Sequence, residues 1–175
     1  VPQPYICTDG VLLMELVTDA DGQVAPRLND VELTAESALE HHTYLINQVV
    51  RMLCAGVIHG DLSEYNILMA AGGPVIIDLP QAVDAAGNNE AAAMLARDVQ
   101  NLAVYFGQFA PQLLTTADAK EIWQHNVAGD LTPETPLTGF VAADTTPVDM
   151  AGLLQEIEDT RREEQERRLR LQERD

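Results

Sequence analysis

Apolar positions recur at helical spacing over one long stretch of the chain and at strand-like spacing over several short ones. Beyond Thr34, the residues Leu39, His42, Ile46, Val49, Val50 and Leu53 fall on one face. That spacing predicts an amphipathic helix over about 35–55, with Thr34 as its cap and Gly56 as its stop. Ahead of it, residues 5–8 and 11–17 read as short strands parted by the Asp9-Gly10 turn pair, and Asp19-Ala20-Asp21-Gly22 marks a second turn. Behind it, Tyr65 to Met69 and Val75 to Ile77 read as the arms of a tight hairpin across Gly72-Gly73-Pro74. Two further helices are predicted over 90–107 and 117–127. The Thr- and Pro-rich stretch from Leu131 to Val148 reads as irregular connection, and residues 151–175 as a charged helix, solvated in the favoured reading, or a tail that packs on a partner.

Between the long helix and the hairpin lies Val57-Ile58-His59-Gly60-Asp61-Leu62-Ser63-Glu64, a stretch that is too short and too polar to be core and therefore calls for a chemical reading. Asp61, Asn66 and Asp78 are three oxygen-bearing side chains that one loop and one hairpin bring together. Hard cations such as magnesium prefer such donors and take one or two carboxylates together with phosphate oxygens and water. Asp-x4-Asn followed by an apolar strand ending in Asp is the spacing of a kinase catalytic loop and metal loop, in which the first Asp accepts the substrate hydroxyl proton.

Asp61-Leu62-Ser63-Glu64-Tyr65-Asn66, followed by Ile77-Asp78-Leu79-Pro80-Gln81-Ala82-Val83, resembles the RIO family of atypical serine/threonine protein kinases. Met14-Glu15-Leu16-Val17 resembles the hinge between lobes, Arg97-Asp98-Val99-Gln100-Asn101-Leu102 the helix that follows, and Leu131 to Leu137 a segment of bacterial members. The resemblance implies an α+β, mainly α fold: the C-terminal lobe of the protein-kinase-like fold, with a small β-hairpin carrying the metal site. Residues 1–17 would be hinge and lobe linker strands, 18–150 the lobe, and 151–175 the charged tail. It implies ATP and Mg²⁺ as cofactors, and a protein substrate or autophosphorylation. Asp61 would be the catalytic base or a substrate-orienting carboxylate, and Asn66 and Asp78 the metal ligands, Asp78 also serving as a phosphate acceptor, which makes an ATPase cycle the alternative to a kinase. The backbone of Glu15 and Val17 would bind adenine, with Met14, Leu68 and Ile77 packed around it.

Two residue-level features refine that expectation. Gly60 stands where regulated kinases carry an Arg that pairs with a phosphorylated loop, so switching by loop phosphorylation is not expected. Only 18 residues separate Asp78 from Arg97, with no Ala-Pro-Glu segment, which leaves little room for an extended peptide platform. His59 and Asp98 are expected to brace the loop rather than react, and Ser63 reads as a loop hydroxyl or a substrate-side contact. His41, His42 and His125 lack metal-ligand spacing and read as helix-surface or core residues.

The tail from Ala151 holds 8 acidic and 6 basic of the chain's 28 and 10, leaving 20 and 4 to residues 1–150. A surface so acidic repels a phosphate backbone, which disfavours direct nucleic-acid binding. The longest apolar run, Ala91 to Ala96, is far short of the roughly 20 residues a spanning helix needs, so no membrane role is expected. Cys7 and Cys54 make no disulfide framework, fit a cytoplasmic setting, and are expected to be small buried apolar residues.

A Gly-rich phosphate loop and its strand lysine are not found, the only lysine being Lys120. The expectation is a fragment missing its N-terminal kinase lobe and inactive alone. Two rival functions share the features. Aminoglycoside- or choline-type phosphotransferases use a similar His-Gly-Asp-Leu loop, although Ser63-Glu64-Tyr65 and Leu79-Pro80-Gln81 favour the RIO pattern. A non-catalytic interaction module could use the acidic surface without turning over ATP.

Overall fold

In the computed structural model, residues 1–140 are described, and the expectations for 141–175 lie outside them. Helix α1 (Ala35–Cys54) begins at a reciprocal cap in which the Ser37 N–H donates to Thr34 Oγ1 at 3.1 Å and the Thr34 N–H donates to Ser37 Oγ at 3.0 Å. It ends where Gly56 turns at φ +77°, a left-handed conformation that releases the chain from the helix. His42, Leu45, Ile46, Val49, Val50 and Leu53 are buried along its inner face, while Leu39 is only partly covered.

Helices α2 (Ala91–Phe106) and α3 (Asp118–Ala128), each within about a residue of its predicted bounds, pack with α1 around one core. Leu45, Leu102, Phe106 and Ile122 are fully buried there, and each such side chain contributes roughly 1.5–3 kcal/mol relative to exposure. Tyr105 adds a buried link, its hydroxyl donating to the Leu28 carbonyl at 2.8 Å.

The strands form three antiparallel pairs: β1 (Pro4–Thr8) with β2 (Val11–Met14), β3 (Val57–Ile58) with β6 (Val83–Asp84), and β4 (Ile67–Ala70) with β5 (Gly73–Ile76). With the helices, this is an α+β arrangement.

Several expectations need correction. The predicted strand over 11–17 ends at Met14, because the chain changes partner. The Glu15 N–H still reaches the Gln3 carbonyl at 2.8 Å, whereas the Val17 carbonyl accepts from Ala25 at 3.0 Å. Residues Glu64–Asn66 form a 3₁₀ turn rather than strand, with the Asn66 N–H bonded back to the Ser63 carbonyl at 3.0 Å. The hairpin turns at Ala71 and Gly72, while Gly73 and Pro74 lie in β5 opposite Ala70 and Met69. Pro74 is tolerated there because β5 has no second strand asking for its missing N–H.

The stretch Val57 to Glu64 is not excluded from the core: Ile58, His59 and Leu62 are each at most 2% exposed. A polar segment can be buried when neighbouring side chains satisfy its backbone, and α2 does so here. Both cysteines are exposed rather than buried, Cys7 on a hairpin whose strands are exposed throughout and Cys54 at the last position of α1. His42 lies in the core, while His125 sits near the surface and pairs with Asp130 at 2.9 Å.

Candidate active site

The loop between β3 and β4 is held from beneath by three residues of α2. Asp98, 1% exposed, accepts the Gly60 N–H at 2.8 Å through one carboxylate oxygen and the Leu62 N–H at 2.9 Å through the other. Burial pushes the Asp98 carboxyl above its ordinary range, opposed by the hydrogen bonds from Leu62 and Gly60 and by the neighbouring His59 and Arg97. The Arg97 guanidinium donates to the Gly60 carbonyl, and the Asn101 amide donates to the Leu62 carbonyl at 3.1 Å. Arg97 and Asn101 share a helix face by their spacing of four. Four backbone groups of Gly60 and Leu62 are therefore satisfied from one helix.

His59 fixes the other side. Its Nδ1 accepts the Asp61 N–H at 3.3 Å, so the ring proton belongs on Nε2, which lies 3.0 Å from the Ile77 carbonyl. One buried imidazole thus ties the loop to the segment that carries Asp78. Gly60 turns at φ +82°, and a Cβ there would stand 2.6 Å from Met94 Cε and 2.8 Å from the Gln81 carbonyl oxygen. Only glycine fits between these neighbours.

The Asn66 amide donates to the Asp61 carbonyl at 2.8 Å, and the Ile77 N–H donates to the Asn66 carbonyl at 2.9 Å. Asp61 and Asn66 are thereby joined directly, and Asn66 is joined to the residue before Asp78. Because a carbonyl can only accept, the Asn66 NH₂ must face Asp61, which leaves its Oδ1 available as a donor to a cation. Asp78 is exposed and sits at φ +67°, a left-handed conformation uncommon outside glycine. Two carboxylates and one amide oxygen suit a hard cation. No group of three or more His, Cys, Asp or Glu among the described residues is placed to hold a metal, so a cation at this loop would need the Asn66 amide oxygen and oxygens from outside the protein beside any carboxylate.

The candidate nucleotide residues differ in their surroundings. The Met69 N–H donates to the Pro26 carbonyl at 2.8 Å and the Ala71 N–H to the Thr18 carbonyl at 3.1 Å, so the segment that follows Val17 runs along the free edge of β4. Val17 is nearly buried, and Leu68 and Ile77 are half-buried. Met14 stands on the exposed β2 and Glu15 just beyond it. Among the described residues, neither the Glu15 carbonyl nor the Val17 N–H is engaged by another backbone group.

An open depression of about 620 Å³ lies between β6 and the start of α2, lined by Val83, Asp84, Gly87, Asn88, Asn89 and Glu90. It contains none of the trio. Two of its polar side chains are engaged locally, Asp84 accepting the Ala86 N–H at 2.8 Å and Asn88 the Glu90 N–H at 2.8 Å.

The sequence placed Gln81 in a motif without a role. Its side chain reaches Asp61, the amide Nε2 lying 3.3 Å from Oδ2. The bracing by Arg97 and Asn101 was likewise unassigned, and their spacing on one helix face was the available signal.

Residues 1–120 match the RIO domain. The chain is 40% identical over 106 residues to the RIO-type serine/threonine-protein kinase Rio1 of Haloferax volcanii, an alignment covering 61% of this chain and 35% of that protein. It is 31% identical over 121 residues to the human serine/threonine-protein kinase RIO1, covering 69% of this chain and 21% of that protein. It is 34% identical over 111 residues to the RIO-type serine/threonine-protein kinase Rio2 of Methanocaldococcus jannaschii, covering 62% and 40%. The chain thus spans between about a fifth and two fifths of the length of these relatives. With the RIO domain matched over more than half its length, the chain belongs to the RIO family.

Proposed function

We propose that this domain transfers the γ-phosphoryl group of ATP, with magnesium, to a serine or threonine hydroxyl of a protein, its own chain included, or to water. The observation that carries this reading is the bond from the Asn66 amide to the Asp61 carbonyl, which holds the two loop residues together and turns the Asn66 Oδ1 away from Asp61.

Asn66 and Asp78 would hold the cation, which when bound neutralises charge on the phosphates. Asp61 takes the proton of the acceptor hydroxyl as that oxygen bonds to the γ-phosphorus, while the bond from phosphorus to the bridging oxygen of departing ADP breaks. Little covalent work falls to the protein, so the rigidity of the loop, braced by Asp98, Arg97, Asn101 and His59, is its main contribution. Adenine would be met by the Glu15 carbonyl and the Val17 N–H, with Met14, Leu68 and Ile77 supplying apolar surface.

The test is magnesium-dependent phosphate release from ATP by the full-length protein, beside variants carrying Asp61→Ala or Asp78→Asn. Both variants are expected to lose about a hundredfold or more. Equal release from all three proteins would overturn the reading in favour of a binding module.

A further inference from the structure

Asp61 is held through its main chain by two hydrogen bonds, its N–H donating to His59 and its carbonyl accepting from Asn66, while among the described residues its carboxylate meets the Gln81 side chain. We infer that Gln81 is a positioning residue that holds Asp61 Oδ2 and so presents Oδ1 to the acceptor hydroxyl; this rests on the role proposed for Asp61.

Local geometry puts Gln81 where it can do this. The Ala82 N–H donates to the Leu79 carbonyl at 2.9 Å, closing a turn with Pro80 and Gln81 at its centre, and proline's fixed φ suits that place. The turn folds the chain back immediately after Asp78. It brings the Gln81 carbonyl against Gly60, so closely that a Cβ on Gly60 would lie 2.8 Å from it. The Gln81 backbone is therefore seated on the residue before Asp61, and its side chain extends from that seat to the carboxylate.

The chemistry of the pair has one sense. A carboxylate accepts, so the Gln81 end facing it is the NH₂ group, with Nε2 3.3 Å from Oδ2. An amide carries no charge, so it can fix the rotation of the carboxylate without neutralising it, as a lysine or arginine would. A base of this kind needs one oxygen free and correctly aimed, and occupying the other oxygen achieves that. Hydrogen bonds in such sites are commonly long before substrate arrives and tighten afterwards. The contact also joins the two motifs, since the residue three places after Asp78 reports directly to Asp61, and any shift of the Asp78 turn would be felt at the base.

The experiment is a double-mutant cycle in the full-length protein, reading magnesium-dependent ATP turnover for Gln81→Met, Asp61→Ala and the double variant. Methionine keeps the length and removes the donor. Gln81→Glu serves as a second probe that places a carboxylate against a carboxylate. The expected result is a fall in kcat of about tenfold for Gln81→Met and a larger fall for Gln81→Glu, with KM for ATP and Tm unchanged. Adding Gln81→Met to Asp61→Ala should then produce no further loss, because the amide has nothing left to orient. Wild-type turnover in Gln81→Met, or the same fold-loss in both backgrounds, overturns the inference while leaving Asp61 as base intact. Full activity in Asp61→Ala removes the base itself, and the inference with it.

Discussion

Asp98 reaches 38 residues back along the chain to accept the buried N–H of Gly60 at 2.8 Å. Its other oxygen takes the Leu62 N–H, so one side chain of α2 sets the path of the backbone on both sides of Asp61.

Replacing Asp98 by Asn should therefore be severe. The amide offers one acceptor oxygen and turns an NH₂ toward a backbone N–H that is already a donor. A buried donor left without a partner costs about 1–3 kcal/mol, and a hydrogen bond to a charged group is worth about 1.5–3. Urea denaturation of Asp98→Asn should show a loss of about 2–4 kcal/mol; a change below about 0.5 kcal/mol would mean that the loop does not depend on this brace.

Gly60→Ala tests the fit of the loop against the Asp78 turn. The new methyl meets Met94, which can move, and the Gln81 carbonyl, which cannot, and the position has φ +82°. A loss of about 1–3 kcal/mol is expected from the backbone alone. The further change Met94→Ala should not restore it; if it does, the side chain rather than the carbonyl is the obstacle.

Asp78→Gly separates stability from the proposed chemistry. The residue is exposed and left-handed at φ +67°, so glycine relieves strain there. Tm is expected to hold or rise by a few degrees while magnesium-dependent turnover disappears. A marked fall in Tm would show that the carboxylate, not its conformation, is what the fold requires.

His42 gives the fold a pH dependence with a definite sign. It is 3% exposed, its Nε2 has no hydrogen-bond partner among the described residues, and its ring stands edge-on to Phe106 at 5.8 Å. Burial lowers its pKa below 6.5, opposed by the charge of Asp118. The unfolded chain binds the proton more readily, so the contribution is fully present above pH 6.5 and is lost as pH falls toward the lower folded value. His42→Met should flatten the stability change between pH 8 and pH 5 and raise stability at pH 5. An unaltered slope would place the acid sensitivity elsewhere.

Local pattern was enough for α1, whose cap, stop and buried face follow from 3.6-residue spacing and from Thr34 and Gly56, and it singled out the proposed trio Asp61, Asn66 and Asp78 within 18 residues. The expected bracing roles of His59 and Asp98 were legible too, because their places beside the loop and on the following helix were. Contacts decided the rest. A two-residue strand such as β3 has no periodicity to read, and its pairing with β6 exists only because the turn after Asp78 returns the chain. Ile58, His59 and Leu62 are buried because α2 supplies partners for the backbone between them, and Cys7 and Cys54 are exposed because one lies on an exposed hairpin and the other at the last position of α1; neither fact is a property of the residues themselves. The sequence by itself determined which chemical groups this protein holds close together along the chain. Tertiary structure alone decided which of them are held still, since a hydrogen bond such as Gln81 to Asp61 depends on where a turn folds back, and that is set by everything it folds against.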